Sequence, residues 1–314
     1  MNNTTTLNAH RYQFNCRVND ALALNFYSGS MLRGAFGRAL RKTVCVTGMS
    51  DCHSCLLYRQ CHYPKIFETP APKHSQFQQF SQIPNPFVIE PPPMGKKDLK
   101  PGDLFSFNLV LIGQAISQLP IILFAWQKAL SNGLGKQYAK AELLNVVYEP
   151  ATSYAQTVFD ASNGQLIPIA DHPPIAEIKA CDSLNLRLLT PLRIQQHGKV
   201  LSQNLQGKDF IMALVRRYYL LDEFHGPNYQ APDFKALAAA AQTIQCQHQL
   251  RWCDWERYSN RQQQSMVFGG VLGELTLSGQ QLAVFLPLLN QGQWLHLGNK
   301  TTFGMGHYQI TSNP

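Results

Sequence analysis

At 314 residues and 45% hydrophobic content, the chain is long enough for two packed cores and too apolar to remain disordered. Charged residues are sparse at 15%, yet 27 lysines and arginines face 19 aspartates and glutamates, a balance that favours a polyanionic partner. The Asn/Thr-rich start, Met1 to His10, lacks the basic and apolar regions of a signal peptide. The longest apolar run, Ile116 to Leu130, is interrupted by Gln118, Pro120, Gln127 and Lys128 and is too short to span a membrane. These readings predict a cytoplasmic protein, in which eight cysteines point to metal rather than to a disulfide framework.

Tyr12 to Val18 alternates as a strand. Met31, Leu32, Ala35, Phe36, Ala39 and Leu40 recur at helical spacing and predict a helix from about Met31 to Val44, with Arg33, Arg38, Arg41 and Lys42 on its other faces. The proline-rich stretch Pro64 to Pro101 reads as loops with short strands at Lys65–Glu68 and Phe87–Glu90. Asp103–Ile112 is a strand, Ile116–Leu130 a helix and Glu142–Tyr148 a strand. Residues 151–181 read as a linker with a hairpin at Asn163-Gly164. Beyond it come a strand (Leu184–Ile194), a helix (Gly207–Phe224) and an Ala-rich helix (Phe234–Cys246). Two strands (Gln249–Tyr258, Phe268–Leu277), a helix (Gln281–Leu289) and a last strand (Thr302–Ile310) complete the chain. With the Ala-rich helix read as an insertion into the pattern, each half runs strand, helix, strand, strand, helix, strand. The fold class is α+β, with two tandem ferredoxin-like domains over residues 1–150 and 182–314.

Cys45, Cys52, Cys55 and Cys61 are spaced C-x6-C-x2-C-x5-C. Four thiolates at this spacing can close a tetrahedral zinc site of structural type, with no ligand position left open for catalysis. An iron–sulfur cluster competes with that reading, and His53 and His62 are substitute ligands.

Near the C-terminus Gly304 and Gly306 bracket Met305, with Lys300 and His307 alongside. Glycines this dense let another backbone approach closely, and the flanking cations make a phosphodiester a fitting one. Arg257 and Arg261 flank Tyr258, an arrangement suited to phosphate contact and base stacking. Arg216 and Arg217 on the Gly207–Phe224 helix are weaker candidates for the same role.

The ordered blocks Trp255-Glu-Arg-Tyr-Ser-Asn-Arg-Gln262, Phe268-Gly-Gly-Val-Leu-Gly-Glu-Leu275, Leu286-Pro-Leu-Leu289 and Leu295-His-Leu-Gly-Asn-Lys-Thr-Thr-Phe-Gly-Met-Gly-His-Tyr308 stand in one sequence. They closely resemble the C-terminal domain of the CRISPR-associated RAMP-superfamily endoribonucleases that process CRISPR precursor RNA. Met31-Leu-Arg-Gly-Ala-Phe-Gly-Arg-Ala-Leu40, the cysteine loop and Ile66-Phe-Glu-Thr-Pro70 look like the first domain of that family. The resemblance implies a repeat RNA bound along a basic cleft and cut once per repeat without metal. The 2′-hydroxyl attacks the adjacent phosphorus and leaves a 2′,3′-cyclic phosphate and a 5′-hydroxyl. It further implies a Tyr at the start of the first helix and a His and Lys near its end. Tyr27 and Lys42 fill two of these places, but no His lies between Tyr27 and Val44. The catalytic candidates are therefore Tyr27, Lys42 and His296, with Arg38 or Arg41 stabilising charge. The protein is expected to act as a monomer or a homodimer, and a catalytically silent RAMP subunit that holds guide RNA among other effector subunits is the alternative. A zinc-containing nucleic-acid-binding protein outside CRISPR is the more distant one.

Overall fold

A computed structural model describes residues 7–71, 83–150, 155–169, 178–196, 198–202, 204–259 and 264–311; within these, the side chains of residues 255–259 and 264–268 lie outside the description. The first half contains β1 (Ala9–Val18), β2 (Leu22–Leu24), α1 (Gly29–Val44), α2 (His62–Phe67), β3 (Phe87–Glu90) and β4 (Lys97–Leu99). It continues with β5 (Leu104–Ile112), α3 (Leu119–Asn132), β6 (Ala141–Tyr148) and the hairpin β7 (Gln156–Asp160) and β8 (Gln165–Leu166). The second half contains β9 (Ser183–Leu192), β10 (Gln195–Gln196), β11 (Lys199–Val200), α4 (Gly207–His225) and α5 (Phe234–Ala241). It ends with β12 (Gln245–Ser259), β13 (Gln264–Ser278), α6 (Leu286–Leu295) and β14 (Tyr308–Thr311).

The molecule is a mixed α/β fold with antiparallel sheets. The first sheet has the order β3-β5-β1-β6-β7-β8 and the second β12-β13-β9-β14, while β2 pairs with β4 and β10 with β11. In both halves the four main strands lie in the order second, third, first, fourth. The hairpin at Asn163-Gly164 forms, and β7 adds to the edge of β6, so this part of the expected linker belongs to the first sheet.

Strand β1 alternates, with Tyr12, Phe14, Cys16 and Val18 turned inward. They meet Leu32, Ala35, Phe36, Ala39 and Leu40 of α1 in one core, in which Trp126 of α3 stacks on Phe36 at 5.1 Å. Strand β5 is buried on both faces near its end. Leu109 and Leu111 join that first core, and Val110 and Ile112 join the core of the second half. The first sheet is thereby covered by its own helices on one side and by the second half on the other, with α6 touching β1 and β5.

Three expected elements change. Lys65–Glu68 is not a strand, because Ile66 and Phe67 belong to α2, where a helical turn buries both against the core of α1. The Ala-rich helix stops at Ala241, and Cys246 pairs with Leu277 as part of β12. The last strand is only Tyr308–Thr311, because residues 301–303 wind into a tight turn and Gly304 and Gly306 take left-handed φ values of 87° and 73°. Pro287 is tolerated because it sits in the first turn of α6, where its missing N–H has no helical partner to lose.

Candidate functional site

The glycine loop, residues 298–307, packs into the seam between the two halves. Tyr27, just before α1, donates its hydroxyl to the Phe303 carbonyl at 2.8 Å, and Arg33 Nε donates to Thr302 Oγ1 at 3.1 Å. The Arg33 guanidinium lies between the rings of Phe67 and Phe303, 4.2 Å and 4.7 Å from their centroids. At Gly304 a side chain would collide with the Ile89 carbonyl, come to 2.6 Å from Pro91 and to 2.9 Å from the Tyr27 hydroxyl. The glycines do permit a close backbone approach, as their density predicts. The backbone that approaches is β3 of the same chain.

This corrects the expectation that the Gly304 and Gly306 amides face a phosphate. Gly304 N–H donates to the Thr301 carbonyl at 2.7 Å and Gly306 N–H to the Pro191 carbonyl at 3.0 Å. Thr190 completes the seal, its hydroxyl donating to the Gly304 carbonyl at 2.7 Å and accepting from His307 N–H at 2.9 Å.

Beneath the loop lies a buried polar cluster. His296 is fully buried; its Nε2 donates to Glu90 Oε1 at 3.0 Å and its Nδ1 faces the Met305 carbonyl oxygen at 3.2 Å. Its ring stacks on His307 at 4.5 Å. Arg11 reaches the same Glu90 oxygen at 2.8 Å, and Asn108 Nδ2 donates to the other oxygen at 3.1 Å. Burial by itself would raise the Glu90 carboxyl, but Arg11, the His296 hydrogen bond and the histidine charges hold it well below the usual carboxylate range. His307 is pushed down to about 3, first by burial and then by His296. Burial, reinforced by the Glu90 charge, drives the Tyr27 phenol far above its ordinary value. His296 and Tyr27, both proposed for proton transfer, are thus enclosed and hydrogen-bonded inside the seam, and their evident work is to join the halves.

The remaining candidates divide by exposure. Arg38 and Lys42 are exposed one turn apart on α1, and Lys300 is exposed at the rim of the glycine loop with φ 65°. Arg216 is exposed on α4, whereas Arg217 is buried and donates through Nε and Nη2 to the Leu295 carbonyl at 3.3 Å and 3.1 Å. Burial brings Arg217 down to about 9, and its role as an RNA contact is corrected to capping the C-terminal end of α6. Arg257 and Tyr258 are strand residues of β12 whose side chains lie outside the described residues, as does Arg261 entirely.

Cys45, Cys52, Cys55 and Cys61 all line one cavity in the loop between α1 and α2. Arg41 Nη2 donates to the Met49 and Ser50 carbonyls at 2.6 Å each, pinning that loop to the end of α1. His53 and His62 are exposed there. Glu90, Arg11 and Arg33 were absent from the sequence candidates. The one signal for Glu90 was an acid ending the otherwise apolar run Phe87–Glu90.

Among the described residues, no helix is long and apolar enough to cross a membrane. A family model described as an N-terminal domain matches residues 7–171, and the model of the CRISPR-associated endoribonuclease Cas6 matches residues 186–308. An uncharacterized protein of Archaeoglobus fulgidus is 24% identical over 295 residues, covering 91% of this chain and 92% of its own. A Cas6 product complex superposes with a TM-score of 0.57 at 17% identity, over 96% of this chain and 99% of that one. Thermus thermophilus Cas6 superposes with a TM-score of 0.53 at 16% identity, over 96% and 98%. Residues 186–308 thus fall in the family of CRISPR-associated, RAMP-type Cas6 endoribonucleases, residues 7–171 in the family of the N-terminal domain model, and the chain as a whole shares the fold of the Cas6 structures.

Proposed function

We propose that the chain cuts CRISPR precursor RNA within its repeats, using two tandem ferredoxin-like domains as the binding platform. The observation that carries this reading is the match of residues 186–308 to the Cas6 endoribonuclease model. The surplus of 27 basic over 19 acidic side chains supports it, as does the exposed cationic row of Arg38 and Lys42 on α1. In the proposed reaction the 2′-hydroxyl attacks the adjacent phosphorus, and a 2′,3′-cyclic phosphate and a 5′-hydroxyl remain. No metal is needed. Arg38 stabilises the charged phosphorane, and Lys42 supplies a proton or a positive charge at the leaving oxygen. Lys300 and Arg216 serve as phosphate contacts outside the reacting group.

A second reading is favoured by one observation. The imidazole and the phenol best suited to proton transfer, His296 and Tyr27, are both enclosed in the seam. A RAMP subunit that binds guide RNA without cutting it, alongside other CRISPR subunits, needs neither group in solvent. One assay distinguishes the two. Labelled repeat RNA is incubated with the protein in EDTA, beside the same RNA carrying a 2′-deoxy nucleotide at the cut site. Cleavage abolished only by the deoxy substitution supports the endoribonuclease. Tight binding with both RNAs intact rejects it in favour of the silent subunit.

A further inference from the structure

We infer that the loop between α1 and α2 holds a four-iron, four-sulfide cluster on Cys45, Cys52, Cys55 and Cys61, rather than the single zinc ion that their spacing first suggests. The inference concerns a site separate from the RNA chemistry and does not rest on it. All four cysteines line one cavity of about 140 Å³. A tetrahedral zinc ion, with each sulfur at about 2.3 Å, would bring every pair of sulfurs to roughly 3.8 Å. Among the described residues, a set of three or more His, Cys, Asp or Glu ligand atoms within 4.8 Å of one another is found at Glu90, His296 and His307, and no three of the loop sulfurs meet that spacing. The four sulfurs around the cavity are thus spread more widely than one zinc ion would hold them. A cuboidal cluster, whose iron and sulfide stand between four cysteine ligands, accepts the wider spacing.

The surroundings fit such a cluster. Val44, Met49, Leu57 and Pro64 give the cavity apolar walls, with Met49 and Leu57 themselves exposed at its rim. The Thr47 hydroxyl lies 3.9 Å from Cys45 Sγ and 3.5 Å from Cys55 Sγ, where it can donate to ligand sulfur. Cys55 N–H donates to the Cys52 carbonyl at 3.1 Å and shapes the C-x2-C bite. Arg41 brings a positive charge to the wall of a site where four thiolates outweigh the cationic core. The more tightly gathered set, Glu90, His296 and His307, is a poorer metal site, because Arg11 already supplies a cation 2.8 Å from the same carboxylate oxygen. A cluster in the loop would fasten the end of α1 to α2, whose Phe67 ring lies under Arg33 at the seam.

The test is to purify the full-length protein without oxygen, count iron, acid-labile sulfide and zinc, and record visible and dithionite-reduced electron paramagnetic resonance spectra. We expect a brown protein with about four irons and four sulfides per chain, loss of both in Cys52→Ser and Cys55→Ser, and their retention in His62→Ala. One zinc per chain, lost in the same serine variants, overturns the proposal. So does wild-type protein that stays colourless and iron-free after anaerobic reconstitution with ferrous iron and sulfide. The wild-type reconstitution decides the matter even if a serine variant fails to fold.

Discussion

Glu90, at the end of a strand in the first half, and His296, at the end of a helix in the second, meet at 3.0 Å with the imidazole fully buried. Arg11 Nη2 makes a third member of the triad, 2.8 Å from the same oxygen. Removing the carboxylate takes from His296 and Arg11 their shared anionic partner and leaves them only the Met305 and Gln293 carbonyls, and truncating one partner of a buried ion pair costs more than the intact pair contributes. Glu90→Ala should therefore destabilise the protein by about 3–5 kcal/mol, read from denaturant unfolding, with Glu90→Gln in between. An Ala variant with an unchanged midpoint would show that the triad does not hold the seam.

Acid should weaken the fold before the carboxylates titrate. His225, which bonds the Pro84 carbonyl at 2.8 Å, is pushed by burial from 6.5 down to about 4, and His307 from 6.5 down to about 3. Both stay neutral when folded and take up a proton when unfolded, so the unfolded state binds more protons as the pH falls below 6.5, and stability drops. The His225 shift corresponds to about 3 kcal/mol and the His307 shift to about 5 kcal/mol, each accumulated by the time the pH reaches the folded value. Glu90 works at lower pH. Its depressed folded value gives stability that is present above the ordinary 4.5 and lost as the pH falls below it. Thermal midpoints measured from pH 7 down to pH 4 should decline, and less steeply in His225→Asn.

Gly304→Ala tests whether the glycine loop seals the protein or cradles phosphate. A β-carbon there is strained at φ 87° and meets the Ile89 carbonyl. We expect a loss of about 1–3 kcal/mol in stability. Lys300→Ala should leave stability within about 0.5 kcal/mol while weakening RNA binding and reducing the salt slope by about one unit. Fluorescence anisotropy across a salt series measures the second effect. An equally stable Gly304→Ala with weakened RNA binding would return the loop to a phosphate-contact role.

The neighbours Arg216 and Arg217 should behave oppositely. Arg217→Ala removes a buried charged donor from the Leu295 carbonyl and should cost about 2 kcal/mol in unfolding free energy. Arg216→Ala on the exposed face should leave stability within about 0.5 kcal/mol and change only RNA affinity. Equal effects from the two substitutions would contradict the burial difference.

Local pattern alone determined most of the elements and their order. Periods of two and 3.6 are properties of the backbone, so Tyr12, Phe14 and Cys16 announce a strand and Leu32, Ala35, Phe36 and Ala39 a helix without any knowledge of partners. The cysteine spacing and the glycine loop were equally visible, and so was the family they point to. Only the tertiary structure decided what these features face. Gly304 meets Ile89 from more than two hundred residues away, Glu90 meets His296, and of two adjacent arginines Arg217 is buried and Arg216 is not. Burial and charge pairing are set by which surfaces the two sheets bring together. That depends on long-range packing, which no local period in the sequence encodes.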